Sequence, residues 1–261
     1  MGRARRRGQH VSLMGLSGVG KTRATKKLQE ARGDRVRSHS IDKAIWTGRS
    51  ALRDDFERWA IETNRDIGHV AADSLVVTAD YLGMLGDPSK GGLPEEEFRR
   101  RQALHAQAER EAVLQVNNII KYPSDWVIDL SGSFCEVVDP WHPNDEVINV
   151  IKQNTTSLLI KATREHIGKL ANQQNEKPKP LYYRPEFLDE QIPIMLDFYN
   201  VANMEDLSPI AVSDFLYPRL MEERMRRYAA IVASMGERAI MIPMLESQAL
   251  KPQELDRLLA A

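Results

Sequence analysis

Apolar positions along the chain fall into four short runs, separated by longer stretches in which they recur at helical spacing. Val11-Ser-Leu-Met14 is a buried first strand ending in a glycine loop. Residues 22–31 form a helix stopped by Gly33. Residues 36–41 make a second strand, followed at once by Asp42. Residues 51–84 are helical, and 86–94 form a loop by their turn residues. Pro94 with Glu95, Glu96 and Glu97 opens a long helix to about Lys121, because proline and acids both suit a helix's positive end. Residues 126–130 are a third strand ending at Asp129, before Ser131-Gly132-Ser133. Residues 157–160 are the fourth. Helices at 164–175, 186–200 and 213–235 follow, the first broken by Lys177-Pro-Lys-Pro180. Ala239-Ile-Met-Ile-Pro243 is the fifth strand, and Pro252 to Ala260 a closing helix. Strands alternating with helices predict an α/β fold: a five-stranded parallel sheet flanked by helices.

A chain of 261 residues suits one large α/β domain or one carrying big insertions. Hydrophobic residues at 42% and charged residues at 28% are ordinary for a soluble protein, and a net charge of -1 argues against a polyanion binder overall. The basic charge is uneven. The arm at 1–9 carries Arg3, Arg5, Arg6 and Arg7 and no acid, so both a solvated tail and a nucleic-acid contact stay open. Cys135 is the only cysteine, which excludes an internal disulfide and fits a reducing, cytoplasmic setting. No apolar run approaches the roughly 18 residues of a membrane span, and none follows the basic start as in a secretory signal. The histidines lack metal-ligand spacing.

The first strand runs into Gly15-Leu-Ser-Gly-Val-Gly-Lys-Thr22, which satisfies G-x-x-x-x-G-K-[ST] between a strand and a helix. Gly15, Gly18 and Gly20 let the backbone curl, so that the N–H groups of residues such as Ser17 and Val19 can surround phosphate oxygens. The helix start adds partial positive charge. Lys21 is placed to reach the β- and γ-phosphates and the Thr22 hydroxyl to meet Mg²⁺. The motif predicts a nucleoside triphosphate, MgATP, but does not separate a kinase from a switch or a motor.

The rest of the chain resembles the shikimate-kinase group of P-loop kinases. Ser40-Ile-Asp42-Lys-Ala-Ile45 resembles that family's D-x-D-x-x-I segment, with Asp42 on the Asp that grips and activates the acceptor hydroxyl and Ser40 on the Asp that helps hold Mg²⁺. Thr47-Gly-Arg-Ser50 is similar to its T-G-R-S. Glu97-Phe-Arg-Arg100 resembles its E-F-R, putting Arg99 on the carboxylate-binding arginine. Ser131, Gly132 and Ser133 fall on the G-G-G substrate loop. Lys179-Pro-Leu181 resembles the lid's R-P-L, with Lys for Arg. Arg224-Met-Arg-Arg-Tyr228 resembles R-x-P-L-Y, whose Arg is the second carboxylate ligand. Lys169 lies where a basic residue packs on adenine. The stretch from Gly86 to Arg100 also resembles a group of bacterial P-loop "ATPases". Against the family, an acid is missing at Ser40 and gained at Asp129, as if one Mg²⁺ carboxylate had moved to the neighbouring strand.

The resemblance implies a P-loop kinase domain over 10–261, with an acceptor-binding helical insertion at 43–122 and a lid and insertion within 164–220. Lys21, Asp42 and Lys179 would be catalytic. Gly15 to Thr22 and Lys169 would hold ATP. Arg99, Ser131, Gly132, Ser133 and Arg224 would hold an acceptor that carries an anionic group. Thr22, Asp129 and Ser40 would serve the metal. Three functions follow as expectations: a kinase for a small hydroxyl-bearing metabolite, a kinase for a hydroxyl on nucleic acid, and a regulatory NTPase without an acceptor. Bland roles stand beside these, since an Asp after a strand can simply cap a helix and arginines on helices can simply be solvated.

Overall fold

The computed structural model describes residues 10–65, 75–120, 124–177 and 179–260. The basic arm at 1–9, Lys121 and Pro178 lie outside the described residues. In chain order the elements are β1 (Val11–Met14), α1 (Lys21–Arg32), β2 (Val36–Ser40), α2 (Ile41–Thr47), α3 (Ala51–Glu62), α4 (Leu75–Leu82), α5 (Glu95–Leu114), α6 (Val116–Ile119), β3 (Asp125–Asp129), α7 (Glu146–Asn154), β4 (Thr156–Lys161), α8 (Arg164–Glu176), α9 (Pro185–Tyr199), α10 (Pro209–Met235), β5 (Ala239–Pro243), α11 (Met244–Ala249) and α12 (Pro252–Ala260).

The chain divides into two compact units. The first comprises residues 1–42, 110–163 and 227–261. It contains a five-stranded, all-parallel sheet in the order β2-β3-β1-β4-β5, flanked by helices. β1 is central. The connection from β1 leads to β2 at one edge, and that from β4 leads to β5 at the other. In open α/β sheets such a reversal of strand order places a crevice at the carboxyl ends of the strands, where ligands bind. β1 and β4 are buried along nearly their whole length, as strands covered on both faces must be. Their buried serines are satisfied in a chain: Ser12 of β1 and Ser157 of β4 share a 2.7 Å bond, and the hydroxyl of Thr155, just before β4, donates to Ser12 at 3.0 Å.

The helix after the glycine loop is anchored at its far side. Lys27 on α1 gives its ammonium to the carbonyls of Ser247, Gln248 and Leu250, at 2.9, 2.9 and 2.6 Å, at the end of α11. Arg32 at the end of α1 pairs with Asp256 of α12 at 2.5 Å.

The second unit comprises residues 43–109 and 164–226. Trp46, Phe56, Trp59 and Tyr81 form an aromatic cluster with centroid separations of 5.4–6.2 Å. The loop at 86–94 is a built turn. Gly86 has φ 136°, and a Cβ there would meet the Leu207 carbonyl at 2.8 Å. The Asp87 N–H donates to that same carbonyl at 2.7 Å.

Several expected boundaries differ. β2 ends at Ser40 and Ile41 begins a helix; one buried apolar residue satisfies strand and helix alike, so the pattern could not separate them. The expected helix over 51–84 is interrupted, because α3 ends before Asn64, whose φ of 54° is left-handed. The expected helix to Lys121 stops at Leu114 and is followed by the short α6. α10 starts at Pro209 rather than 213. No element was expected over 146–154, where α7 forms, capped by the Asp145 carboxylate on the Ile148 N–H at 3.0 Å.

Candidate functional site

At the carboxyl end of β1 the glycines of the loop take the conformations the motif requires. Gly15, Gly18 and Gly20 have φ of 135°, 83° and 100°, in the range L side chains avoid. At Gly15 space is also decisive: a Cβ would lie 2.5 Å from the Ile160 carbonyl of β4. Val19 is buried, while Ser17 and Gly18 are exposed. α1 then begins with Gly20 at its N-cap, with no side-chain cap and no acid in its first turn. Its first N–H groups and positive dipole end are thus presented without a competing carboxylate on that turn.

Lys21 is buried, and its ammonium donates to the carbonyls of Gly15 at 2.9 Å and Leu16 at 3.3 Å. The neighbouring Thr22 is exposed and its hydroxyl donates to the Asp129 carboxylate at 3.4 Å. Asp129 ends β3 in direct register with Leu13 of β1 and Ser40 of β2. Ser40, Asp129 and Thr22 therefore gather three oxygen side chains beside the loop. Burial raises the pKa of Asp129; Lys21 opposes the rise, Asp42 adds to it, and the Thr22 hydroxyl opposes it.

Asp42 stands in the first turn of α2, two residues beyond Ser40. Solvent reaches the residue, yet protein surrounds its carboxyl closely enough that lost hydration raises its pKa, with Lys21 pulling the other way. The first unit thus brings one buried cation, two carboxylates of raised pKa and a hydroxyl to the ends of three adjacent strands.

Ser131 is buried and accepts from the Ser133 hydroxyl at 3.3 Å. Gly132 abuts the glycine loop: a Cβ there would lie 2.9 Å from the Ser17 nitrogen. The glycine at this position is therefore demanded by packing against the loop. Tyr228 was not foreseen. Its hydroxyl reaches the carbonyls of Gly15, Ser131 and Gly132 at 3.2–3.3 Å. An aromatic residue in a helical pattern reads as ordinary core, so only its place within the R-x-P-L-Y-like segment hinted at it.

The remaining candidates lie in the second unit. Arg99 pairs with Glu95 at 2.7 Å and Asp189 at 2.9 Å. Its charge is matched by two carboxylates, so Arg99 gives no support to a need for an external anion. Arg224 is 4% exposed and donates to the Tyr182 carbonyl at 2.8 Å. Near it lies a buried group that sequence reasoning missed. His105 stacks on Tyr182 at 5.6 Å and contacts Trp46, with the fully buried Glu109 3.9 Å from its Nδ1. Burial, and secondarily Arg224, push the His105 pKa down to about 4. Lys169 is exposed and paired with Glu165 at 2.7 Å. Lys179 is exposed; its backbone carbonyl accepts from Gln174 at 2.7 Å, and the residue lines a small cavity with Met84, Phe98, Leu181 and Tyr183.

The donor set around Asp129 fits a small hard cation. It is all oxygen, and it offers one carboxylate with two hydroxyls, which suits an ion that keeps waters and shares phosphate oxygens. Among the described residues no group of three or more His, Cys, Asp and Glu forms a self-sufficient metal site. No described helix is long and apolar enough to cross a membrane. Comparison with protein-family models and with curated proteins finds no match to the chain.

Proposed function

We propose that this protein is an ATP-dependent phosphotransferase of P-loop kinase type that moves the γ-phosphate to an alcohol, and that it belongs with the shikimate-kinase-like enzymes. The observation that carries the reading is the grouping of Lys21, the Thr22–Asp129 pair and Asp42 at the open start of α1. A switch or motor needs the first two; a second carboxylate of raised pKa beside them suits a proton acceptor.

In this reading the loop N–H groups and Lys21 cradle the triphosphate and stabilise charge as it develops on the transferring group. Thr22, Asp129 and Ser40 would hold Mg²⁺, which when bound would neutralise phosphate charge. Asp42 orients the acceptor hydroxyl and takes its proton as the new P–O bond forms and the bond to the β-phosphate oxygen breaks, releasing ADP. Lys179 is the proposed lid cation and Lys169 the proposed neighbour of adenine, which would require Lys169 to leave Glu165. Arg224 is the stronger candidate for an anionic group on the acceptor, since Arg99 would have to give up two carboxylates. Phosphoryl transfer rests on positioning and electrostatics, and these residues supply both.

The test is incorporation of labelled γ-phosphate into a panel of hydroxyl compounds and oligonucleotides, with Lys21→Met as control. Transfer to a compound of the panel, lost by roughly a hundredfold or more in the control, is expected. Transfer confined to oligonucleotides would move the acceptor to nucleic acid, and the arginines at 3–7 would then be examined through salt dependence. Nucleotide binding with hydrolysis alone would make the protein an NTPase. Full turnover by Lys21→Met would remove the mechanism.

A further inference from the structure

Tyr228 has no part in the roles above. It lies on α10, 1% exposed, and its hydroxyl is 3.3 Å from the Gly15 carbonyl, 3.3 Å from that of Ser131 and 3.2 Å from that of Gly132. A phenol has one proton to donate, so three acceptors share one donor. These carbonyls belong to two separate strand ends. Gly15 follows β1 and opens the phosphate loop; Ser131 and Gly132 follow β3, just beyond Asp129. A second contact joins the same segments, where Gly132 packs against Ser17 with no room for a Cβ.

The Gly15 carbonyl is also a seat of the Lys21 ammonium, at 2.9 Å, with the Leu16 carbonyl as the other at 3.3 Å. An ammonium carries three N–H donors. These two carbonyls contribute to fixing where the charge rests and so how it meets a phosphate. A carbonyl that can swing would let the charge drift, and small misplacements of a charged group at a reacting centre are costly. The Tyr228 hydroxyl approaches that carbonyl and tethers it to the turn after β3.

We propose that Tyr228 is a positioning residue for Lys21, acting through the Gly15 carbonyl and locking the phosphate loop to the Ser131–Gly132 turn. The proposal rests on the reading of residues 15–22 as a nucleotide site. Its rival is a plain one: a core ring whose hydroxyl has simply found acceptors. The two differ in coupling. A positioning role runs through Lys21 and disappears when Lys21 is gone, whereas a packing role does not depend on the lysine.

The experiment is a double-mutant cycle. Wild type, Tyr228→Phe, Lys21→Met and the double variant are titrated calorimetrically with ADP, which offers a β-phosphate without turnover. Tyr228→Phe keeps the ring and deletes only the donor. It is expected to weaken ADP binding by about tenfold beside Lys21, and by less than about twofold in the Lys21→Met background. In wild-type background kcat is expected to fall together with affinity. Equal factors in the two backgrounds would overturn the positioning role. Loss of a cooperative thermal transition in Tyr228→Phe would overturn it too, making the hydroxyl a structural tie. Failure of the wild type to bind ADP would strike the nucleotide reading itself, and the first titration distinguishes that result from failure of the Tyr228 role.

Discussion

Ser40 and Asp129 stand opposite each other in the register of β2 and β3, so a carboxylate on either strand would project from the same end of the sheet. This pairing makes the proposed relocation of a metal-binding acid physically direct. Asp129→Asn is expected to raise the Mg²⁺ concentration needed for half-maximal turnover by about tenfold or more. The exchange Ser40→Asp with Asp129→Ser is expected to recover part of that loss. Mg²⁺ titrations of the three proteins check this, and an exchange variant no better than Asp129→Asn would end the relocation idea.

Asp42→Asn separates chemistry from stability. Transfer is expected to fall by about a hundredfold or more, the scale of a lost general base, while ADP affinity changes little. Stability should move the other way. The Asp42 pKa is raised above its ordinary 3.8 by burial, so the folded state holds that proton longer than the unfolded chain does. Wild-type stability is therefore lost as pH rises from about that value through the raised one. Asn carries no charge and avoids the loss. Thermal melts should show Asp42→Asn more stable than wild type at neutral pH, with the gain vanishing in acid. A variant less stable at pH 7 would contradict this account of the carboxyl.

Glycine is required at two positions for different reasons. Gly15→Ala combines a disfavoured φ with a Cβ 2.5 Å from the Ile160 carbonyl, whereas Gly132→Ala has ordinary φ and meets one residue, Ser17, with its nitrogen nearest at 2.9 Å. Gly15→Ala is expected to destabilise the protein by about 2–4 kcal/mol, since strain and overpacking add. Gly132→Ala is expected to cost about 1 kcal/mol and to weaken nucleotide binding through the displaced loop. Denaturant melts and ADP titrations distinguish the two patterns.

His105 predicts an acid sensitivity. Its pKa is held near about 4 in the fold against an ordinary 6.5, so the unfolded chain binds the proton first as pH falls. Stability from this site is full above pH 6.5 and lost as pH falls toward about 4. The loss at pH 4 is on the order of a few kcal/mol. His105→Gln should flatten the pH dependence of the urea midpoint between these values, and an unchanged slope would argue against the assignment.

The central strands were legible because β1 and β4 carry short apolar runs and are buried on both faces, whereas β2, with Val36 as its one apolar residue, was legible chiefly by its place between α1 and Asp42. The glycine loop was legible because its backbone geometry demands glycine at fixed spacing. Contacts formed by backbone groups were not legible. The three carbonyls around Tyr228 leave no mark in residue type, and the Ser17–Gly132 contact appears in sequence only as one small residue. The Trp46–His105–Tyr182 group joins positions far apart in the chain, so periodicity within any one helix cannot reveal it. Arg99 shows a pairing that sequence does not reveal. The resemblance to E-F-R suggested a ligand role, and the pairing with Asp189 on a distant helix leaves no mark near residue 99.

Lys27 ties the helix of the phosphate loop to three carbonyls contributed by residues 247–250, and Arg32 adds Asp256. The helix that follows the glycine loop is thus fastened by residues 220–224 positions later in the chain. Until residues near 250 have emerged, α1 lacks its fastening, and a nascent chain halted short of them would present the glycine loop without its final support. Messages truncated before the codon for Ser247 should therefore yield chains that contain every proposed active-site residue and yet are readily degraded.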